Sequence, residues 1–536
     1  MSQHPAPSFL LASDVLIIGG GLAALVAALT AREHGCSVAV VSLGPVGGSG
    51  NTLVSRGNFA SASREPGNDA ALFLNDLSAS AKGIADPALA ARLAADSEAA
   101  LLYLEKSGVP LLRDSKGFPR NRPPGHSVPR CVPTDKNGFP HAILGAAITK
   151  PLLARLKASG ALALHGFRAV HLVRQENGIA GAIVHERKVI TPRLIRSRRI
   201  ILATGGYGGL FRRTNNVSDI YGDGIALALE AGCAVRDMEM VQFFPTMMYS
   251  PVKMTISGPL LGAGAVLRNR DGERFMQRYD PKGDMATRDS MARAIFCETT
   301  AGNGIDGCVS VDCTGIPGDV LRNQFASFCA TLAKHGLDPA KDWLSVTPST
   351  HYTLGGICID DHGRTTVSGL YAAGEVTGGV HGADRLPGAG LMEAAVFGRQ
   401  AGLAAATDSL QATSGAPDLR QFAGIPDEAD RGSNLRSLRD LLWDHVSLAR
   451  DAAGIKQAIA GIEILKEKEF ARPGGRHSHF ASNLLIGEAV AKSALTREES
   501  RGAHYRSDFP ETNPAWAKPI YCALHNERLV LYSPTL

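Results

Sequence analysis

A chain of 536 residues with 44% hydrophobic and 20% charged residues is too long for one hydrophobic core, so about three or four packed units are expected. The formal charge of +5 is small for this length and no Lys/Arg run carries interleaved aromatics, which argues against a nucleic-acid partner. No stretch reaches the ~18 consecutive apolar residues of a membrane span, so direct membrane insertion is not expected. The nine cysteines are scattered without the paired spacing of a zinc or iron–sulfur site, so no metal is expected. The opening MSQHPAPSFLLASD has neither a basic region nor an apolar core, and a cytoplasmic address is the expectation.

In chain order, SDVLIIGGGLAALVAALTAREHGCSVAVVSLG reads as a buried parallel strand, a glycine turn, an amphipathic helix and a second strand. Gly19, Gly21 and Ala24 make G-x-G-x-x-A directly after the first strand. The first glycine permits the tight turn, the second lets the backbone approach a pyrophosphate, and the small third residue lets helix and strand pack. The acid expected at the end of the second strand for an NAD ribose is replaced by Ser42, whose hydroxyl can still bind a ribose, so FAD is the expected cofactor. RSRRIILATGGYGG and VSGLYAAGEVTGG each give a short apolar strand ending in glycines, predicted to join the same sheet. The ATGG at Ala203, Thr204 and Gly205 offers another close backbone approach, and Glu375 after the last strand can hold hydroxyls of a polyol chain or stand solvated in a loop.

Between those strands, alternating short segments with charged turns such as NRDGERF predict an inserted cap, and SNLRSLRDLLWDHVSLARDAAGIKQAIAGIEILKEK has helical spacing. The expected class is α/β: a Rossmann-like FAD-binding domain with an inserted α+β capping domain and a C-terminal helical bundle domain. The divisions are 1–232 and 343–412 for the FAD domain, 233–342 for the cap, 413–515 for the helical domain and 516–536 for a strand-like tail.

These elements, joined in order to ATRDSMARAI, HYTLGG, GADRLPGAGLMEAAVFGRQAG and ESRGAHYR, resemble the succinate dehydrogenase and fumarate reductase flavoprotein family, which includes L-aspartate oxidase. The resemblance covers residues from Asp14 to about Pro510. It implies an FAD-dependent oxidoreductase acting on a carbon–carbon bond next to a carboxylate, with hydride passing through flavin N5 and a proton through Arg288. It implies that Arg385 and His351 grip the substrate carboxylate with Thr353 and, more loosely, Ser257, and that His126 in GHSVPR reaches substrate. It implies that Asn51, Thr52, Asp223, Gly374, Glu375, Ala389, Gly390 and Leu391 join the Gly19 turn around FAD, with a helix starting near Leu391 aimed at the ring. An amino-acid oxidase resembling L-aspartate oxidase, or the flavoprotein subunit of an assembly with an iron–sulfur or cytochrome partner, are the alternatives.

The sequence departs from the family pattern at the pocket. QFFPT puts Phe244 where the family has a carboxylate-binding histidine, and SGPLLGAGA leaves Gly258, Leu261 and Ala263 at positions the family fills with acidic, basic and acidic residues. Replacing charged groups by apolar ones penalises a second carboxylate there, so a small-molecule substrate with one carboxylate and an apolar, aromatic or esterified remainder is expected, and not succinate, fumarate or aspartate. Asn51 stands near the histidine that bonds the flavin in respiratory members, so noncovalent FAD is expected, and the family's QGG becomes Arg56-Gly57-Asn58 with no evident consequence.

Overall fold

The computed structural model describes residues 8–63, 67–115, 117–139, 143–187, 192–256, 258–410, 432–472 and 474–533. Its central sheet is parallel, five-stranded, and ordered Leu370–Ala372, Ile200–Leu202, Val15–Ile18, Val38–Ser42, Leu162–His165. Every residue of Val15–Ile18, Ile200–Leu202 and Leu370–Ala372 is buried, as a parallel sheet covered on both faces requires. Of the two glycine-ended strands predicted from the sequence, Ile200–Leu202 pairs with Val15–Ile18 and Leu370–Ala372 pairs with Ile200–Leu202, so the nucleotide-binding unit is assembled from distant segments. Helix Leu22–Glu33 leaves the first strand and packs along helix Ala389–Thr407. That approach needs glycine: a Cβ on Gly398 or Gly402 would sit 2.8 or 2.6 Å from the carbonyl oxygen of Ala23 or Ala27.

A second sheet orders Ser8–Ala12, Arg193–Arg196, Gly178–Glu186 and Phe167–Gln175. The cap is a five-stranded sheet, Met254–Thr255, Val241–Met248, Leu344–Thr353, Val309–Asp312 and Val266–Arg268, carrying helix Arg288–Thr300 over a separate apolar core that includes Phe275, Ile295 and Val346. Its middle strand, Leu344–Thr353, lies beyond residue 342, the cap boundary expected from sequence. Turn signals mark the chain gap before that strand, whereas hydrogen bonding assigns the strand to Val241–Met248 and Val309–Asp312.

Helices Gly432–Val446, Ala452–Phe470 and His479–Thr496 form the C-terminal bundle, with Leu438, Ile462, Leu484 and Val490 fully buried. The tail folds into the hairpin Tyr521–His525 and Arg528–Tyr532. It packs on its own bundle through Ser493 Oγ and Cys522 Sγ, 3.3 Å apart, and extends the sheet formed by Val235–Arg236 and Gly356–Ile357. Two arginines of the C-terminal region secure it to the segment that enters the cap. Buried Arg497 donates from Nε to Glu239 Oε1 at 2.6 Å, and Arg450 Nη1 donates to the Glu239 carbonyl at 2.8 Å.

Candidate active site

A cavity of about 1780 Å³ runs from the Gly19 turn, across the C-terminal ends of the central strands, to the underside of the cap. Open parallel sheets place ligand sites at such strand ends. At the sheet end the backbone is drawn in too closely for side chains. Gly19 has φ +127°, and a Cβ there would lie 2.1 Å from the Ala203 carbonyl oxygen. Gly21, Ser42, Ala203, Thr204, Gly205 and Gly374 line the same end. Ala24 does not: it is fully buried in the helix, where its small size serves packing. Thr52 Oγ1 accepts from Leu22 N at 3.1 Å and so caps the helix that points into the cavity.

Glu375 lies on the cavity wall with its carboxylate held by Asn51 Nδ2 at 3.2 Å and Thr353 N at 3.2 Å. Burial pushes this carboxyl up to about 7, against the lowering effect of Asn51 and the Thr353 amide. Asn51 also donates to Asn216 Oδ1 at 2.8 Å and accepts from Val217 N at 3.2 Å. Asp223, at the first turn of helix Asp223–Glu230, faces the cavity but is paired with Arg168 and His479, each at 2.9 Å. Burial opposes its ionisation, yet His479 and Arg168 hold it well below the usual carboxylate range.

At the cap end, Arg385, His351, Arg288, Gln242, Phe244 and Leu261 face one another. Gln242 and Phe244 are two apart on strand Val241–Met248 and therefore share a face. Gln242 Oε1 accepts from Arg385 Nη2 at 3.0 Å while its Nε2 donates to Asp384 Oδ1 at 2.7 Å. Beneath the guanidinium, 4.2 Å from its carbon, is the ring of Tyr352. The tyrosine hydroxyl donates to buried Glu393, which also binds His381 Nε2 at 2.9 Å. Arg385 Nε is buried without a protein partner. Burial, then Arg385, Arg288 and Arg56, hold His351 well below the usual imidazole range, so it is neutral at pH 7. Its Nδ1 lies 3.0 Å from Asn215 Nδ2 and 3.3 Å from Asn215 Oδ1, and the tautomer in which the nearer Nδ2 donates leaves Nε2 protonated and able to donate to a carboxylate. The Phe244 ring meets His351 edge-on at 5.8 Å and lies 5.7 Å from the Arg288 guanidinium.

Arg288 opens helix Arg288–Thr300, which Thr287 caps by accepting from Ser290 N at 3.3 Å. It is not a solvated helix charge: its exposed area faces the cavity. Burial, then Arg385 and Arg56, lower its pKa, while Asp384 and Asp289 act against them. Burial raises Asp289, and burial together with Asp289 pushes Asp384 up to about 6.

Four of the sequence-predicted residues do not reach the cavity, and one lies outside the described residues. Thr353 is fully buried with its hydroxyl 3.5 Å from Glu375, behind the wall. His126 is buried behind the Arg385 loop, where its Nε2 donates to the Pro387 carbonyl at 2.9 Å, so it supports that loop. Ala24 and Ala389 are helix-packing residues; the helix begins at Ala389, with Gly388 (φ +80°) before it, and not at Leu391. Gly390 and Leu391 do line the cavity. Ser257 falls outside the described residues. Gln242, Asn215, Tyr352, Asp384, Asp289 and Arg56 join the site without having been assigned a role from the sequence. All but Asn215 lie within or beside the stretches that carry the resemblance, so their place in those stretches is the signal that could have found them.

Residues 14–391 match the family described as "FAD binding domain" and residues 435–530 match "Fumarate reductase flavoprotein C-term". The chain belongs to the succinate dehydrogenase and fumarate reductase flavoprotein family. It is 34% identical over 533 residues to one of the subunits of the fumarate reductase (CoM/CoB) of Methanothermobacter marburgensis, covering 95% of this chain and 96% of that one. It is 35% identical over 509 residues to L-aspartate oxidase of Caulobacter vibrioides, covering 93% and 94%. Mycobacterium smegmatis Sdh1, solved in complex with UQ1, superposes with a TM-score of 0.86 at 30% identity, covering 98% and 94%. The flavoprotein is an FAD-dependent oxidoreductase, and its residues fit that cofactor. The Gly19 turn forms a cradle that a Cβ would fill, Thr204 Oγ1 is buried without a partner, and a volume of about 1780 Å³ stands between them and the cap. No helix of the described residues is long and apolar enough to cross a membrane.

Proposed function

We propose that this flavoprotein reduces, or forms, a carbon–carbon double bond next to a carboxylate in an acid other than succinate or fumarate. The observation that carries this reading is the convergence of Arg385, neutral His351 and Arg288 on one end of a cavity whose facing wall is Phe244 and Leu261. Arg385, held by Gln242 and backed by Tyr352, offers its guanidinium to one carboxylate oxygen, and His351 Nε2 donates to the other. Bound FAD supplies hydride transfer. Arg288 moves the accompanying proton at the neighbouring carbon. Its lowered pKa makes a guanidinium a better acid than usual, and Asp384 and Asp289 supply the exchangeable carboxyls that Gly258, Leu261 and Ala263 lack. Phe244 and Leu261 offer no charge to a second carboxylate in the position that a four-carbon diacid would occupy. Asn51 has no ring nitrogen to bond a flavin, so FAD is held without a covalent link.

The L-aspartate oxidase relative at 35% identity supports a second reading, oxidation of an amino acid to an imine. Free cysteines at all nine positions suit a reducing, cytoplasmic compartment. Electrons then pass to or from an iron–sulfur or cytochrome partner or a diffusible carrier, since no cysteine grouping here suits an iron–sulfur centre. Anaerobic flavin spectroscopy decides: the chemically reduced holoenzyme should be reoxidised by 2-enoates and only slowly by fumarate. Turnover of succinate, fumarate or aspartate matching that of an enoate would overturn the reading, and oxygen uptake with an amino acid would favour the oxidase.

A further inference from the structure

Arg56 projects from a pinned piece of backbone into the cap end of the cavity. The carbonyl of Gly57 accepts from Thr134 N at 2.8 Å, and that of Leu53 from Gly145 N at 3.0 Å. Gly57 has φ +64°, and a Cβ there would lie 2.2 Å from Thr134 Oγ1. The side chain is seated across the domain junction: Nη2 donates to Thr255 O at 3.2 Å and Oγ1 at 2.7 Å on the cap strand Met254–Thr255. Its Nε and Nη1 engage no partner among the described residues, and no carboxylate pairs with it. The buried arginines differ: Arg130 pairs with Asp76 at 2.6 Å, Arg236 with Asp237 at 2.8 Å, and Arg497 with Glu239 at 2.6 Å, whereas Arg56 is exposed to the cavity. Arg288 and Arg385 have Asp289 and Asp384 near them. Arg56 instead stands among cations, since its charge is felt at Arg288 and Lys136 as well as at neutral His351, and desolvation lowers its own pKa.

A fixed guanidinium with free donors and no counter-charge, exposed beside other cations in a largely apolar-walled cavity, is placed to pair with an anion that enters it. We propose that Arg56 binds a second carboxylate of the substrate, so that the enzyme acts on elongated dicarboxylic acids. One carboxylate sits on Arg385 and His351, the middle of the chain lies against Phe244 and Leu261, and the far carboxylate reaches Arg56. This rests on the reading that Arg385 and His351 grip the reacting end. It also sets apart the family position filled by Phe244, which takes no charge, from a new one that does.

The test uses the FAD-loaded enzyme, titrated anaerobically with trans-2-hexenoate and with trans-2-hexenedioate while the flavin absorbance is followed. The two probes differ only by the far carboxylate. The wild type should bind the diacid about tenfold or more tightly than the monoacid, the scale of one charge-assisted hydrogen-bonded pair, and added salt should narrow the gap. Arg56→Gln should bring the two affinities together by weakening the diacid, Arg56→Lys should keep part of the preference, and Thr255→Val, which leaves the charge in place, should keep it. A wild-type ratio near one overturns the proposal. So does equal weakening of both acids by Arg56→Gln, which marks a cap latch, or loss of FAD from that variant, which marks a cofactor contact. If neither acid perturbs the wild-type flavin, the grip by Arg385 and His351 fails first and the proposal falls with it.

Discussion

We propose that Glu375 holds cofactor hydroxyls, a role that ties FAD binding to pH. Its carboxyl rises from an ordinary 4.5 to about 7, because burial outweighs the donations from Asn51 and the Thr353 amide. A raised carboxyl means that the fold disfavours the ionised form. The penalty is absent below the unfolded value, grows as pH climbs from 4.5, and is complete above about 7. At about 1.4 kcal/mol for each pH unit, the apoprotein carries a load of about 3 kcal/mol when Glu375 is ionised, and somewhat less because the side chain borders the cavity. Cofactor hydroxyls donating to the carboxylate would favour its ionised form, so FAD binding releases a proton. Affinity should therefore rise with pH, about tenfold between about pH 6 and about pH 8. The assay is flavin-fluorescence quenching on reconstituting apoprotein across that range. Glu375→Gln should remove the slope and stabilise the apoprotein at high pH in thermal unfolding. A flat profile in the wild type, or an unchanged slope in the variant, refutes the assignment of Glu375 to the cofactor.

Gly19→Ala should lose FAD, because its Cβ would lie 2.1 Å from the Ala203 carbonyl oxygen at φ +127°; a cost of about 2–4 kcal/mol is expected in chemical denaturation of the apoprotein. Asp384→Asn should erase the limb near pH 6 from the pH–rate profile, since Asp384 is protonated below about 6 and ionised above it; a reductive turnover that depends on its proton falls as pH rises through that value in the wild type only. Arg497→Met should destabilise by about 3–5 kcal/mol, because it leaves Glu239 buried, with Oε2 already unpartnered, and without its cation. Adding Glu239→Gln should recover part of that loss, read from the shift in the denaturation midpoint.

The sequence made legible what depends on local pattern. The run Val15–Ile18, the Gly19 turn and helix Leu22–Glu33 are consecutive, so strand period, turn chemistry and helix period all speak within a score of residues, and the structure reproduces them. Arg385, His351 and Arg288 were reached through motif resemblance. What stayed hidden was what only long-range packing decides. Thr353 follows His351 by two residues on an extended strand, so the two side chains are expected on one face, yet Gln242 pairs with Tyr352 and Phe243 with Thr350, which leaves His351 as a bulge and breaks the alternation. Asn215 meets His351 across 136 positions of chain and Gln242 meets Arg385 across 143. No spacing rule reaches so far.

The cap end shows why lost motif residues do not by themselves specify a pocket. Phe244 and Leu261 remove charge from two family positions, and considered alone they leave a pocket for a monoacid. The cavity, however, gathers the guanidinium groups of Arg56, Arg288 and Arg385, while the carboxyls of Asp289 and Asp384 lie with the latter two. The electrostatic balance is therefore displaced from the reacting end towards Arg56. A substrate must answer both features, since apolar surface set against Phe244 repays desolvation only if its anionic ends reach the cations on either side. Chain length thus becomes the selected property. In the proposed arrangement a four-carbon diacid leaves its second carboxylate short of Arg56, whereas a longer one carries the same charge past the Phe244 wall.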